Sequence, residues 1–119
     1  VDAPETDKPG CPGQPHGVAA TRLVKGLTLR QRVRVEPVDV DRYGRVVARI
    51  TLPDGRDLGE ELVAAGLAWV YRAYAPADSP LLALEARAQA QGHGLWRDGR
   101  AVNPAAHRAG CRRRQGGVR

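Results

Sequence analysis

Apolar positions recur along the chain with two different periods, and the changes of period mark its elements. Residues 7–16 (DKPGCPGQPH) are rich in Pro and Gly and read as a loop. Residues 17–25 (GVAATRLVK) bring Val18, Leu23 and neighbouring alanines to one side of a short helix, with Gly26 as its stop. Over 28–36 (TLRQRVRVE) the period drops to two. Val33 and Val35 face one way while Arg32, Arg34 and Glu36 face the other, which predicts a strand with one solvated face. Asp41-Arg42-Tyr43-Gly44 reads as a turn in which Gly44 is free to take positive φ. Residues 45–52 (RVVARITL) then form a second strand. Val46, Ala48, Ile50 and Leu52 share one face; Arg45, Val47, Arg49 and Thr51 share the other.

Pro53-Asp54-Gly55 is a tight turn into a short return strand. Asp57 and Glu60 stand at capping-box spacing before a helix over 58–65, whose buried stripe is Leu58, Leu62 and Ala65 and whose C-cap is Gly66. Residues 67–71 (LAWVY) predict a short strand. Ser79-Pro80 opens a third helix that runs to about Gln91, buries Leu81, Leu84 and Ala88, and stops at Gly92. Leu95 and Trp96 are expected to pack back onto the body of the domain. From Arg97 onward the apolar periodicity fades. Residues 108–119 hold five arginines and no acid, so residues 97–119 read as a basic, flexible tail.

Short strands, small helices and hairpin signals in this order predict an α+β domain, mainly a small antiparallel β barrel, over residues 1–96. The 119 residues suit one domain, because two would each have a marginal core. The apolar share of 42% supports a globular fold, but with aromatics at 4% and no Phe, the core must be filled by Val, Leu and Ala. No stretch is long enough and apolar enough to cross a membrane as a helix.

The charge balance narrows the partners. Nineteen Lys and Arg against thirteen acids give a net charge of +6, and most of the bases are Arg, which binds phosphate bidentately. A nucleic-acid partner and a merely arginine-rich solvated surface both satisfy that balance. Cys11 and Cys111 show no zinc spacing; a disulfide and two unrelated thiols are both open.

Three segments carry chemistry. The first is VDAPET at 1–6, the second DRYGR at 41–45, and the third GEELVAAGLAWVYRAY at 59–74, leading to LEARAQAQGHGLW, which ends at Trp96. Each is weak alone, and Asp2-x-x-Glu5 by itself has the form of a helix capping box. Together, in order and spacing, they resemble the staphylococcal nuclease-like (thermonuclease) family of bacteria over about residues 1–96.

That resemblance implies an OB-fold barrel of five strands with three helices. It implies a Ca²⁺-dependent nuclease that cleaves DNA and RNA, with single strands preferred, by in-line attack of water on phosphorus and departure of the 5′ oxygen. A hard cation held by oxygens, a carboxylate for the water and cations on the phosphate are what such chemistry needs. By the same resemblance Asp2 is a calcium ligand and Ala3 offers a backbone carbonyl to the ion. Glu5 is the candidate general base and Arg45 the phosphate-clamping arginine. Tyr74 contacts the nucleotide, and Arg72 stands where the family has a second tyrosine. His16, His93 and His107 match no catalytic position, and Trp69 and Trp96 read as packing residues.

The family pattern begins before residue 1, with its first two strands, most of the third, a second calcium aspartate and a second arginine. A barrel with an open edge, a weak calcium site and an inactive fragment of the nuclease are therefore expectations for this chain. A monomer is expected, and a secreted or envelope location is common among such relatives. A non-catalytic nucleic-acid-binding module and a protein-interaction domain are the competing functions. Retention of Asp2 and Glu5 disfavours the first of these.

Overall fold

The computed structural model describes residues 1–4, 6–7, 9, 11–97, 99 and 101–116, with backbone only at 74 and 112–116. Helix α1 spans Gly17–Thr28, and strands β1 (Arg34–Val40) and β2 (Val46–Thr51) form a hairpin. Helix α2 spans Leu58–Ala64, α3 spans Pro80–Gln91 and α4 spans Pro104–Gly116, with 3₁₀ turns at Arg72–Tyr74 and Gly94–Arg97.

Local chemistry sets most of these boundaries. Asp57 caps α2, its side chain accepting from the Glu60 N–H at 2.9 Å. Ser79 caps α3 through the Leu81 N–H, and Pro80 occupies the first turn. Gly92 closes α3 with φ of 67°. Helix α1 passes through Gly26 instead of stopping there, because Leu27 packs against the core and rewards one more turn. Val18 on the same helix is exposed, and Ala20 is the buried face.

The core gathers Leu52, Leu58, Leu62, Val63, Ala68 and Val70. Leu23, Val24 and Leu27 of α1 close it on one side, and Leu81, Leu82 and Leu84 of α3 on another. Each buried aliphatic side chain contributes about 1.5–3 kcal/mol. Glu85 of α3 is buried in this apolar setting and fully used: it accepts from the Val70 N–H and from Arg72 Nη2, both at 2.7 Å.

The sheet is smaller than the five-stranded barrel implied by the resemblance, which was expected to lack its first strands in this chain. Among the described residues it has two antiparallel strands, and the segments at 57 and 69 form only isolated bridges, Thr51 with Asp57 and Asp2 with Trp69. The stretch read as strand 67–71 runs straight into the 3₁₀ turn at Arg72–Tyr74, so it is too short to build a ladder. The first strand starts later than its alternation suggested, at Arg34, and a register shift between Pro37 and Asp39 interrupts its pairing with β2. One end of the hairpin reaches the core through Ile50 and Leu52. The other end projects past the helices, leaving Val35, Val38, Val40 and Val46 exposed.

Residues 104–116, read as part of a flexible tail, are helical. Asn103 caps this helix, its side chain accepting from the Ala105 N–H, and Pro104 is fully buried at its start. Covalent and polar ties hold α4, not an apolar stripe. Cys111 is in a disulfide with Cys11, His107 Nε2 donates to the Pro12 carbonyl at 2.7 Å, and Gln14 donates to the Val102 carbonyl at 2.6 Å. None of these ties leaves a 3.6-residue hydrophobic period in the sequence. Among the described residues no helix is long and apolar enough to cross a membrane.

Candidate functional site

The turn between the two strands is built around one carboxylate. Asp41 accepts from the backbone N–H groups of Tyr43 and Arg45, both at 2.9 Å, and from Arg45 Nε at 2.7 Å. Gly44 takes φ of 80°, which a side-chain-bearing residue rarely adopts, and its N–H donates to the Asp41 carbonyl. Desolvation pushes the Asp41 carboxyl upward. The hydrogen bonds from Arg45 and Tyr43 N–H and the Arg45 guanidinium outweigh it and hold the group below the usual carboxylate range. The Arg45 guanidinium also lies 5.4 Å from the centre of the Tyr43 ring. The bond to Asp41 uses Nε, so it fixes the side chain without consuming the terminal nitrogens. This exposed arginine, which ends the turn just before β2 and not within the strand read over 45–52, is therefore oriented.

Asp2 is placed by backbone pairing with a distant segment. Its N–H donates to the Trp69 carbonyl at 2.9 Å, and the Trp69 N–H donates back at 2.8 Å. Trp69 is fixed in turn by an edge-to-face contact with Trp96 at 4.5 Å, so both tryptophans are packing residues. The Asp2 side chain meets Arg108 of α4, with Nη2 to Oδ2 at 3.0 Å and Nη1 to Oδ1 at 3.4 Å.

Asp2 and Arg45, which lie far apart in sequence, line one open cleft of about 320 Å³ together with Asp41, Tyr71 and Arg108. Two of these residues were not anticipated. Tyr71 ends the segment read as a strand over 67–71 and was given no site role; it caps the 3₁₀ turn that follows and lines the cleft. Arg108 lies in a segment with no motif; the disulfide, the His107 bond to Pro12 and the Asn103-Pro104 start of α4 set its place.

The other expected residues stand apart or out of view. Arg72 lies on a different concavity, beside Trp69, Val70 and Glu85, with Nη2 bonded to the buried Glu85 carboxylate. The Tyr74 side chain and the whole of Glu5 fall outside the described residues. Ala3 is half-buried and follows Asp2 directly, but it is not among the residues lining the cleft.

The donor chemistry suits a hard cation, since Asp2 and the Ala3 carbonyl are oxygen ligands. Their number does not fill a calcium shell of about six to eight oxygens, and both Asp2 oxygens are engaged by Arg108. Cys11, His107 and Cys111 bring three ligand atoms within 4.8 Å, but the two sulfurs are bonded to each other.

Similarity to other proteins follows the same residues. The staphylococcal nuclease homologue family matches residues 1–98. An uncharacterized endonuclease of Escherichia coli is 36% identical over 104 residues, covering 87% of this chain and 63% of that protein. A micrococcal nuclease of Shigella flexneri is 37% identical over 113 residues, covering 87% and 62%. A probable endonuclease LCL3 of Komagataella phaffii is 31% identical over 116 residues, covering 91% and 51%. The chain thus spans between half and two thirds of the length of these curated relatives. A match that runs from the Asp2 segment past Trp96 takes in the whole three-segment pattern, and the chain belongs to the staphylococcal nuclease homologue family.

Proposed function

We propose that this protein is a calcium-dependent nuclease that hydrolyses phosphodiester bonds of DNA and RNA, single strands preferentially. One observation carries the reading: Asp2 and Arg45, from two separate sequence motifs, line the same open cleft. Membership of the family and the names of the endonuclease and micrococcal nuclease relatives support it.

The residues divide the work by chemistry. Arg45 binds two non-bridging phosphate oxygens with its terminal nitrogens while Asp41 holds Nε, so its charge meets the phosphate as negative charge grows in the transition state. Glu5 accepts a proton from the attacking water, or positions that water, from its place three residues after Asp2. The new P–O bond forms as the bond to the 5′ oxygen breaks, and that oxygen departs as a hydroxyl after taking a proton. Asp2 and the Ala3 carbonyl would contribute oxygens to calcium, which would supply electrophilic stabilisation of the phosphate charge. Tyr71 gives the cleft an aromatic wall beside the phosphate. Tyr74 and Arg72 contact the nucleotide from the neighbouring surface, Arg72 with an exposed side chain of which one nitrogen is bonded to Glu85.

Digestion of single-stranded DNA by the full-length protein, with calcium and with EDTA, tests the reading. Cleavage that appears with calcium and vanishes with EDTA is expected. Binding that ignores EDTA, with no cleavage at any calcium level, would instead indicate a binding module.

A further inference from the structure

We propose that Arg108 is a phosphate-binding side chain, carried into the Asp2–Arg45 cleft by the C-terminal helix. The proposal takes its substrate class from the nuclease reading above. Arg108 lies beyond the residues that match the family, so the pattern of that family does not supply it.

Three observations carry the inference. Arg108 lines the same cleft as Arg45, so two guanidinium groups face one open space. Its fork already grips a pair of oxygens, those of Asp2, at 3.0 and 3.4 Å, and the same bidentate geometry fits two phosphate oxygens. The helix beneath it is not free to drift. Cys111, one turn further along α4, is bonded to Cys11, and His107 beside it donates to the Pro12 carbonyl. A guanidinium on a helix fixed so close to it is preorganised, which lowers the entropy lost when it binds an anion.

Asp2 has the role of a resident anion in this arrangement. While Arg108 holds the Asp2 carboxylate, the two charges compensate each other. A cation at Asp2 would compete with the guanidinium for that carboxylate and would leave the guanidinium available to a phosphate. Arg108 and a metal ion therefore compete for Asp2, yet both favour a bound nucleotide.

That competition gives the test opposite signs in two measurements on the disulfide-intact, full-length protein. The probes are a 5′-phosphorylated thymidine tetranucleotide, followed by fluorescence anisotropy, and calcium chloride alone, followed by calorimetry. Arg108→Ala should weaken tetranucleotide binding about tenfold and flatten its logarithmic salt dependence by about 0.7. The same variant should tighten calcium binding severalfold. Arg108→Lys should restore the salt dependence and only part of the affinity, since an ammonium cannot bind bidentately. Unchanged tetranucleotide affinity in Arg108→Ala overturns the proposal. So does a parallel loss of tetranucleotide and calcium affinity, which is what a purely stapling role predicts. Protein that binds the tetranucleotide through Arg108 but cleaves nothing sustains this inference and removes the nuclease reading. Protein that cleaves normally after Arg108→Ala, with its tetranucleotide affinity intact, does the reverse.

Discussion

Arg108 lays both terminal nitrogens on the carboxylate of Asp2, at 3.0 and 3.4 Å, across more than a hundred residues of sequence. The pair is partly shielded, with the two side chains 28% and 20% exposed. Such a pair couples more strongly than a fully solvated one, whose worth is about 0–1 kcal/mol. A double-mutant cycle of Asp2→Asn and Arg108→Ala, read by urea denaturation, should give a coupling of about 1 kcal/mol. Additive effects of the two changes would mean that the pair does not tether α4.

The Asp41 turn predicts a pH dependence. The folded carboxyl titrates below its ordinary value because hydrogen bonds from Arg45 and Tyr43 outweigh desolvation. Its stabilising effect is complete above the unfolded value of about 3.9 and is lost as pH falls through the lower folded value. Acid unfolding of Asp41→Asn should lack that component. Cleavage near neutral pH should fall about tenfold in the same variant, because Arg45 loses the anchor on Nε. Wild-type activity in Asp41→Asn would show that Arg45 needs no such positioning.

Arg72 has a structural role that can be separated from any nucleotide contact. Arg72→Ala leaves the buried Glu85 carboxylate bonded to the Val70 N–H but without the guanidinium that compensates its charge. A loss of about 1–3 kcal/mol in thermal or urea unfolding is expected. Glu85→Gln paired with Arg72→Ala should recover part of it. If Arg72→Ala leaves stability unchanged while weakening nucleotide binding, the bond to Glu85 is incidental.

The disulfide spans a sequence separation of 100 residues. In the chain-entropy view, a loop of that size stabilises the folded state by up to about 4.7 kcal/mol. Dithiothreitol should therefore lower the urea midpoint markedly and release α4 to proteolysis. A midpoint indifferent to reductant would show that Cys11 and Cys111 are not paired in solution.

These particulars show which parts of the chain were legible in its sequence. Asp57 with Glu60, Ser79 with Pro80, and Asp41 with Gly44 are local devices whose partners sit within a few residues, and each appears where its chemistry demands. Residues whose fate depends on distant partners were less readable. Leu27 overrides Gly26 through core burial, and the register irregularity between Pro37 and Asp39 falls beyond the alternation read over 28–36. Val35 and Val46 carry a strand-like pattern yet stay exposed, because no described element covers that end of the hairpin. Helix α4 was hidden for a different reason: a disulfide, a histidine and one arginine hold it, and no periodicity announces such ties. Of the candidate cleft, Asp2 and Arg45 stood in motifs that the sequence showed. Tyr71 and Arg108 became visible only with the fold.

The proposed function rests on Arg45, held by Asp41 in the Asp2 cleft, acting on the phosphate. Its most direct test compares calcium-dependent cleavage of single-stranded DNA by the wild-type full-length protein, Arg45→Ala and Arg49→Ala. Arg49 stands on β2, the strand that Arg45 leads into, but not in the cleft. The account predicts a fall of at least about a hundredfold for Arg45→Ala, the scale of losing a transition-state charge contact, and near-wild-type cleavage for Arg49→Ala. Equal activity in all three proteins would contradict it.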